Sequence, residues 1–123
     1  MIRGTLIGES LRLDAPLAKV PLVVHKVQRV GPLEDLPDRQ PKVWTFIEFT
    51  ADDAGAEELA DSLADVLDPV PGWYCDFRTE TDTFVVFAGR VFRYRRGDDE
   101  GRARAAAHAR SIGVPESQID WPE

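Results

Sequence analysis

The sequence has few of the residue types that carry most enzyme chemistry. It contains one cysteine, Cys75, two histidines, His25 and His108, and no asparagine. A lone cysteine excludes an internal disulfide, and the chain has no CxxC, HExxH, Gly-x-Ser-x-Gly or glycine-rich phosphate-binding motif. Neither histidine has a second nitrogen or thiol ligand at the spacing of a metal site. We therefore predict no metal, no cofactor and no catalytic residue, and favour a non-enzymatic function.

Long apolar runs are also absent. No segment approaches the length that a membrane span needs, and residues 1–10 lack the apolar run of a secretory signal. From these features we expect a soluble cytoplasmic protein that makes no membrane contact.

Positive charge is scarce in the central part of the chain. The net charge is −7, and residues 43–82 carry eleven acidic residues against one base, Arg78, whereas the flanking parts are nearly balanced. A field of this sign repels nucleic-acid phosphates. The aromatic strands also lack the pattern of basic, Gly, aromatic, Gly and aromatic residues found in single-stranded RNA binders. We therefore predict no nucleic-acid partner.

The centre of the chain is instead rich in aromatic and β-branched residues. Residues 72–95 indicate a three-stranded meander, with a polar insert at residues 80–82 and a two-residue turn at Gly89-Arg90. If Phe87 opposes Phe92 and Thr79 opposes Thr83, alternation predicts two distinct faces. The core face is predicted to hold Trp73, Cys75, Phe77, Val85, Phe87, Phe92 and Tyr94. The other face is predicted to hold Tyr74, Asp76, Arg78, Phe84, Val86, Arg93 and Arg95.

The flanking segments supply further strands and two helices. Residues 2–13 alternate loosely and are expected to form one or two short strands at a sheet edge, and residues 20–30 and 43–49 are predicted strands, the second of them central. The apolar spacing of residues 56–67 predicts a helix capped by Asp52 or Asp53, and an alanine-rich helix is predicted before Gly113. Residues 31–42 contain three prolines and are predicted to form an exposed loop.

This order of elements predicts a single α+β domain over residues 1–123, the usual number of domains for a chain of this length. We expect a largely antiparallel sheet with extra N-terminal strands. Both helices are expected on one face, because right-handed crossovers and short connections favour that arrangement. The expected architecture is ferredoxin-like or closely related.

Three segments, residues 72–77, 84–97 and 113–121, resemble a family of small actinobacterial proteins. The twelve arginines against three lysines are typical of a GC-rich genome and agree with the resemblance. The resemblance implies a bacterial origin. It implies no reaction, ligand or site residue for this chain.

Binding is the function that these patterns favour. Aromatic residues mixed with arginine are typical of binding surfaces, so the face turned away from the helices is the predicted site. Its candidate residues are Tyr74, Arg78, Phe84, Val86, Arg93 and Arg95. We expect a protein partner, as in immunity or accessory proteins, or a second copy of the chain. The competing prediction is that N-terminal strands or the 31–42 loop cover this face.

The alternative function is that of a small-molecule enzyme or ligand-binding protein. Its pocket would lie between the sheet and the helices, near Cys75 and His108, where an adjacent histidine would activate the thiol. A lone cysteine at an apolar strand position is more often a buried apolar side chain, and the sequence shows no third orienting group. A filled space between Trp73, Phe87, Phe92 and the helices would remove this pocket.

Overall fold

A computed structural model describes residues 1–34, 36 and 40–121. Within them the strands are β1 (Ile2–Ile7), β2 (Val23–Val30), β3 (Trp44–Ala51), β4 (Tyr74–Arg78), β5 (Asp82–Phe87) and β6 (Arg90–Arg95), and the α-helices are α1 (Ala56–Val66) and α2 (Asp99–Ser111). The strands form one antiparallel sheet in the order β2-β3-β1-β4-β5-β6. The prediction of an α+β fold with a largely antiparallel sheet is confirmed. Neither helix of this described part is long and apolar enough to cross a membrane.

Strand β1 lies inside the sheet, between β3 and β4, and not at an edge as its loose alternation suggested. Its apolar residues Ile2 and Leu6 are buried in the core. Gly4 separates them, and a Cβ at this position would lie 2.7 Å from the Phe49 ring and 2.8 Å from Phe77 Cβ. The absent side chain at Gly4 therefore makes room for these rings, and it also weakened the strand pattern in the sequence.

Helix α1 covers one face of the sheet, which we call the α1 face. Asp52 accepts a hydrogen bond from the Ala54 backbone N–H (3.0 Å) and caps the single 3-10 turn that leads into α1. Leu59 and Leu63 are buried, as the apolar spacing predicted. The sheet contributes Ile2, Leu6, Phe49, Cys75, Phe77, Phe84 and Val86 to the same core.

Helix α2 packs on the opposite face, which we call the α2 face. Asp98 caps the helix by accepting hydrogen bonds from the backbone N–H groups of Glu100 and Gly101. A Cβ at Gly101 would lie 2.2 Å from Tyr94 Cβ. Helix α2 therefore contacts β6 through the backbone of Gly101, where no side chain separates the two elements. The buried residues of this second core are Val85, Phe87, Tyr94, Ala105, Ala106, Ala109, Val114, Ile119 and Trp121.

The prediction that both helices lie on one face is therefore wrong, and the ferredoxin-like arrangement that assumed it is not reproduced. The handedness rule constrains a helix that connects two parallel strands. Helix α1 connects β3 to β4, and these two strands are parallel to each other because both run antiparallel to β1. The rule therefore applies to α1. Helix α2 follows the last described strand and returns to no other strand, so the rule leaves both faces open to it.

The turn between β4 and β5 decides which β4 residues face each helix. Arg78 opposes Thr83, so the predicted pairing of Thr79 with Thr83 is wrong by one residue. Thr79 belongs to the turn instead, where its hydroxyl accepts hydrogen bonds from the backbone N–H groups of Thr81 (3.3 Å) and Asp82 (3.0 Å). A shift of one residue exchanges the two faces of a strand. The predicted faces of β4 are therefore reversed relative to β5.

The next hairpin differs from its prediction by two residues, which leaves its faces unchanged. Phe87 opposes Arg90, whereas the predicted partner was Phe92. The turn residues are consequently Ala88 and Gly89, with Gly89 at a φ of +72°. Glycine adopts this left-handed conformation without the steric strain that other residues suffer.

The segment 31–42 is described in part, because residues 35 and 37–39 lie outside the described residues. Gln40 is buried, and its side-chain amide exchanges two hydrogen bonds with Gln118 (3.2 and 2.8 Å). Leu33 and Leu36 pack against the larger core cluster, to which Trp44 and Trp73 also belong. The prediction of an exposed loop therefore does not hold for these three residues, which dock the segment against the sheet.

Candidate functional site

The six predicted binding residues do not share one exposed face. Phe84 and Val86 are on the α1 face and are 1% and 0% exposed beneath the helix. Arg93 is on the same face, and its guanidinium donates hydrogen bonds to Asp82 (2.6 Å) and Glu57 (2.8 Å). Helix α1 covers this face, and not the N-terminal strands or the 31–42 loop as the competing prediction held.

The other three predicted residues are divided between the faces. Arg95 opposes Asp82 at the exposed end of β6 on the α1 face. Tyr74 and Arg78 lie on the α2 face, together with Asp76 between them. The expectation of a single face is thus wrong because of the one-residue error at the β4–β5 turn.

Cys75 and His108, the predicted landmarks of a pocket, lie on opposite faces of the sheet. Cys75 is buried under α1, and burial, with the nearby charge of Asp76 adding to it, raises the pKa of the thiol. The His108 ring packs against Phe87 (4.7 Å between centroids) and Phe92 (5.4 Å). Because Cys75 and His108 lie on opposite faces of the sheet, the described residues do not form the predicted pocket between them.

A different cavity opens on the half of the α2 face that α2 leaves uncovered. Helix α2 lies against β6, whereas the α2 faces of β4, β1, β3 and β2 form the floor of a cleft of about 720 Å³, which we call the sheet cleft. One wall comes from Leu33 and Leu36, and the other from residues 117–120. The cleft thus lies between two loop segments, with the sheet as its floor.

Asp76 is the central polar group of the sheet cleft. In the described part of the chain its carboxylate forms no ion pair and accepts no hydrogen bond from another residue. Burial raises the pKa of Asp76 to about 6, and the negative charge of Asp120 adds to the shift, while the Asp76 backbone amide and Arg78 oppose it. An ionised carboxylate at this position has lost much of its hydration and has no cation in contact with it.

Tyr74 holds one wall of the cleft in place. Its hydroxyl can donate a hydrogen bond to the Gln118 carbonyl oxygen or to Asp120 Oδ1 (3.1 Å). Its ring contacts Trp121 edge to face at 5.0 Å between centroids. Burial and the charge of Asp120 raise the pKa of Tyr74, so the hydroxyl remains a neutral donor. Tyr74 thereby fixes residues 117–120 against β4.

Aromatic rings form the apolar part of the sheet cleft. Trp44 contacts Trp73 edge to face at 5.3 Å and Phe46 at 6.1 Å between centroids. Trp44 Nε1 donates a hydrogen bond to the Pro41 carbonyl oxygen (2.8 Å), which fixes the indole. These contacts between protein groups hold the rings in place, and largely preformed apolar walls are usual in small-molecule sites.

No protein-family model, curated protein or solved structure matches the chain. Among the described residues, no three His, Cys, Asp or Glu side chains are grouped so that they could hold a metal ion. The functional interpretation therefore rests on the geometry of the sheet cleft itself.

Sequence reasoning identified Tyr74 and Arg78 but missed Asp76 and Glu48 as candidate site residues. A signal for both was present. Glu48 is the one charged residue in the apolar segment 43–49, and Asp76 lies between Cys75 and Phe77 in a strand with few polar residues. A charge in a mostly apolar strand costs free energy unless it is hydrated or paired, so it is a candidate for function.

Proposed function

We propose that the protein is a non-enzymatic binding domain that holds a small organic cation, an amine with an apolar or aromatic body, in the sheet cleft. The observation that carries this proposal is the carboxylate of Asp76, which is largely buried and lacks a partner in the described part of the chain. A desolvated carboxylate without a partner is unfavourable. A ligand ammonium group would supply both the missing hydrogen bond and the missing charge.

The charges around the sheet cleft favour a cation. Among the described residues that line it, the acids are Glu34, Glu48, Asp76 and Asp120, and the one base is Lys26. Lys26 already pairs with Glu48, at 3.8 Å between Nζ and Oε2. This excess of acidic groups attracts a cation and repels an anion.

The size and lining of the cleft favour a small molecule. Its volume of about 720 Å³ falls within the range of about 300–1,000 Å³ that is usual for small-ligand sites. Trp44, Phe46 and Tyr74 offer rings that can stack on an apolar body or contact a cation face-on.

Binding fits the site better than catalysis. A carboxyl with a pKa of about 6 is suitable for proton transfer near neutral pH. A catalytic site also needs further groups that converge on the reacting atoms. Among the described residues, Cys75 faces α1 and His108 contacts Phe87. The His25 ring lines a recess next to Asp76, but its Nε2 lies 2.7 Å from Thr50 Oγ1 and forms no hydrogen bond with the carboxylate in the described part of the chain. For the setting we propose the cytoplasm, where a free thiol such as Cys75 stays reduced.

The proposal can be tested with a matched set of simple ligands. Phenethylamine, its alcohol analogue and its carboxylic acid analogue share one aromatic body and differ in the charged group. We expect calorimetry and NMR titration at pH 8 to show binding of the amine alone, with shifts in Thr5, Tyr74 and Asp76. Affinity should fall as the pH drops through about 6, because protonation removes the charge of Asp76.

Variants give the test its control. Asp76→Asn keeps the shape of the side chain and should weaken amine binding at least tenfold. Asp61→Asn removes an exposed carboxylate on α1 and should change nothing. Equal affinity of the three ligands, or an amine that binds the Asp76→Asn protein as tightly as the parent, would contradict the proposal.

A second candidate function is association with a protein along β2. This strand is at the sheet edge, and Val23, Val24 and Val27 are 58%, 52% and 60% exposed. An edge strand of this kind can accept a further strand from a partner. The bases Lys26 and Arg29 favour an acidic strand over a second copy of β2. Val27→Lys should abolish this association and leave amine binding intact. Sedimentation of the protein mixed with an acidic strand-forming peptide measures the association.

A further inference from the structure

A second recess continues the sheet cleft toward the N-terminal end of β1. It has a volume of about 370 Å³ and shares Thr5, Glu48 and Asp76 with the sheet cleft. Beyond these shared residues its lining is basic, with Arg3, Arg78 and His25. We call this recess the basic end of the cleft. Acidic and basic regions thus follow one another along a single sheet face.

The two arginines of the basic end stand side by side. Arg3 and Arg78 are direct partners across the β1–β4 pair, so their side chains leave the sheet on the same face. Neither guanidinium forms an ion pair or a side-chain hydrogen bond with the part of the chain that the structure describes. Asp76 lies two residues before Arg78 on β4, and the positive charge of Arg78 acts to lower the pKa of Asp76. Like charges directly opposite each other in a sheet are destabilising, and an anion between them removes the conflict.

A β-bulge brings a third donor to the same row. The register of β2 on β3 shifts between Val24 and Lys26, which leaves His25 as the extra residue. Bulges redirect a side chain, and they are common beside functional sites. His25 Nε2 lies 2.7 Å from Thr50 Oγ1, and Thr50 is the cross-strand partner of Arg3. Histidine, threonine and two arginines therefore follow one line across the sheet.

From this arrangement we infer that the basic end binds an oxyanion, and that the ligand of the cleft is amphoteric, with an ammonium group at Asp76 and a carboxylate or phosphate group at Arg3 and Arg78. Guanidinium groups recognise both oxyanions through paired hydrogen bonds. Residues 76 and 78 are two positions apart on one strand, which separates the two charge sites by about 7 Å. The part of the inference that concerns the ammonium group rests on the function proposed above.

The test compares amines with amino acids. The probes are a series of ω-amino acids of increasing chain length, the monoamine and monocarboxylate of each length, and phosphoethanolamine. We expect one chain length of amino acid to bind at least tenfold more tightly than its monoamine. A tighter phosphoethanolamine complex than that of β-alanine would identify phosphate as the preferred oxyanion, and the reverse order would identify carboxylate.

Variants separate the two charge sites. Arg3→Gln and Arg78→Gln should each weaken amino-acid binding about tenfold and leave monoamine binding unchanged, whereas Asp76→Asn weakens both. Arg104→Gln, on the exposed side of α2, is the control. Because the arginines repel each other, Arg3→Gln should also keep or raise the melting temperature of the free protein, which shows that the variant is folded.

The outcomes distinguish the two proposals. Monoamines that bind while the arginine variants have no effect on amino acids would overturn the oxyanion site and leave the cation site standing. Carboxylates or phosphate that bind through Arg3 and Arg78, with no effect of Asp76→Asn, would support the oxyanion site and overturn the cation site. Loss of amino-acid binding in all three variants supports both.

Discussion

The two faces of the sheet differ in how completely they are covered. On the α1 face, the helix and the sheet bury an apolar cluster that extends from Ile2 to Phe84, and Arg93 at its border is paired with Asp82. On the α2 face, the helix covers β5 and β6, and the remainder is open. In the described part of the chain, this open part carries a carboxylate without a partner and two facing arginines. One face therefore stabilises the fold, and the other carries polar groups that cost stability, as the proposed binding function would require.

The largest expected effect comes from removing a ring from the covered face. Phe77 is 1% exposed and stacks on Phe84 at 4.7 Å between centroids. Phe77→Ala should lower the free energy of unfolding by about 3–5 kcal/mol, because it removes buried area and leaves a cavity. Phe46→Ala, on the floor of the open cleft, should cost about 1 kcal/mol, since that ring is half-exposed. Urea unfolding measures both, and equal losses would contradict the difference between the faces.

A substitution at the α2–β6 contact should have the next largest effect. Gly101→Ala places a methyl group where Tyr94 Cβ now lies, so α2 must move away from β6. We expect a loss of about 2–3 kcal/mol from overpacking, although alanine favours a helix by about 1 kcal/mol over glycine. Ala103→Gly, on the exposed side of the same helix, is the control and should cost about 1 kcal/mol by propensity alone. A stabilised Gly101→Ala protein would mean that α2 does not lie this close.

Asp76 should make stability depend on pH in a direction opposite to that of most carboxylates. Its pKa is raised in the folded protein from 3.8 to about 6, so the folded state retains a proton that the unfolded chain loses. Stability should therefore fall as the pH rises from about 4 to about 6 and then stay level, with a loss of about 3 kcal/mol at pH 8. Asp76→Asn should remove this loss. Thermal unfolding from pH 4 to 8 measures it, with Asp61→Asn, an exposed carboxylate, as the control.

The smallest expected effect concerns Cys75. Its thiol is buried and its pKa is raised, so a thiol reagent should label the native protein slowly and the unfolded protein at once. Cys75→Ala should cost about 1 kcal/mol, because it removes a single small buried group. Rapid labelling of the native protein at neutral pH would show instead that the α1 face opens easily.

The sequence was sufficient to predict most elements and insufficient to predict their mutual placement. Periodicity predicted α1 through the spacing of Leu59 and Leu63, and alternation predicted the strands of the meander. The register depended on whether Thr79 ended a strand or closed a turn. The two hydrogen bonds that its hydroxyl accepts from turn amides favour the turn. The face chosen by α2 depended on contacts such as that of Gly101 with Tyr94, which connect distant parts of the chain.

The sheet cleft was harder to predict than the fold for a related reason. Its residues come from β1, β2, β3, β4 and three connecting segments, and no local pattern connects them. Of the predicted binding residues, Tyr74 lines the sheet cleft, and Arg78 lies on the same face of β4. The error of one residue at Thr79 grouped them with Phe84 and Val86, which are core residues.

The exposure of β2 has a consequence for the rate at which the cleft opens. This strand is exposed along nearly all its length, so it contributes little buried apolar surface to hold it against β3. Segments with few buried contacts open most often, and their amide hydrogens exchange fastest with solvent. Lys26, Gln28 and Val30 form the β2 side of the cleft. The same fluctuation that exchanges the β2 amides therefore also loosens the proposed binding site, and a bound ligand should slow exchange in β2 more than in β5.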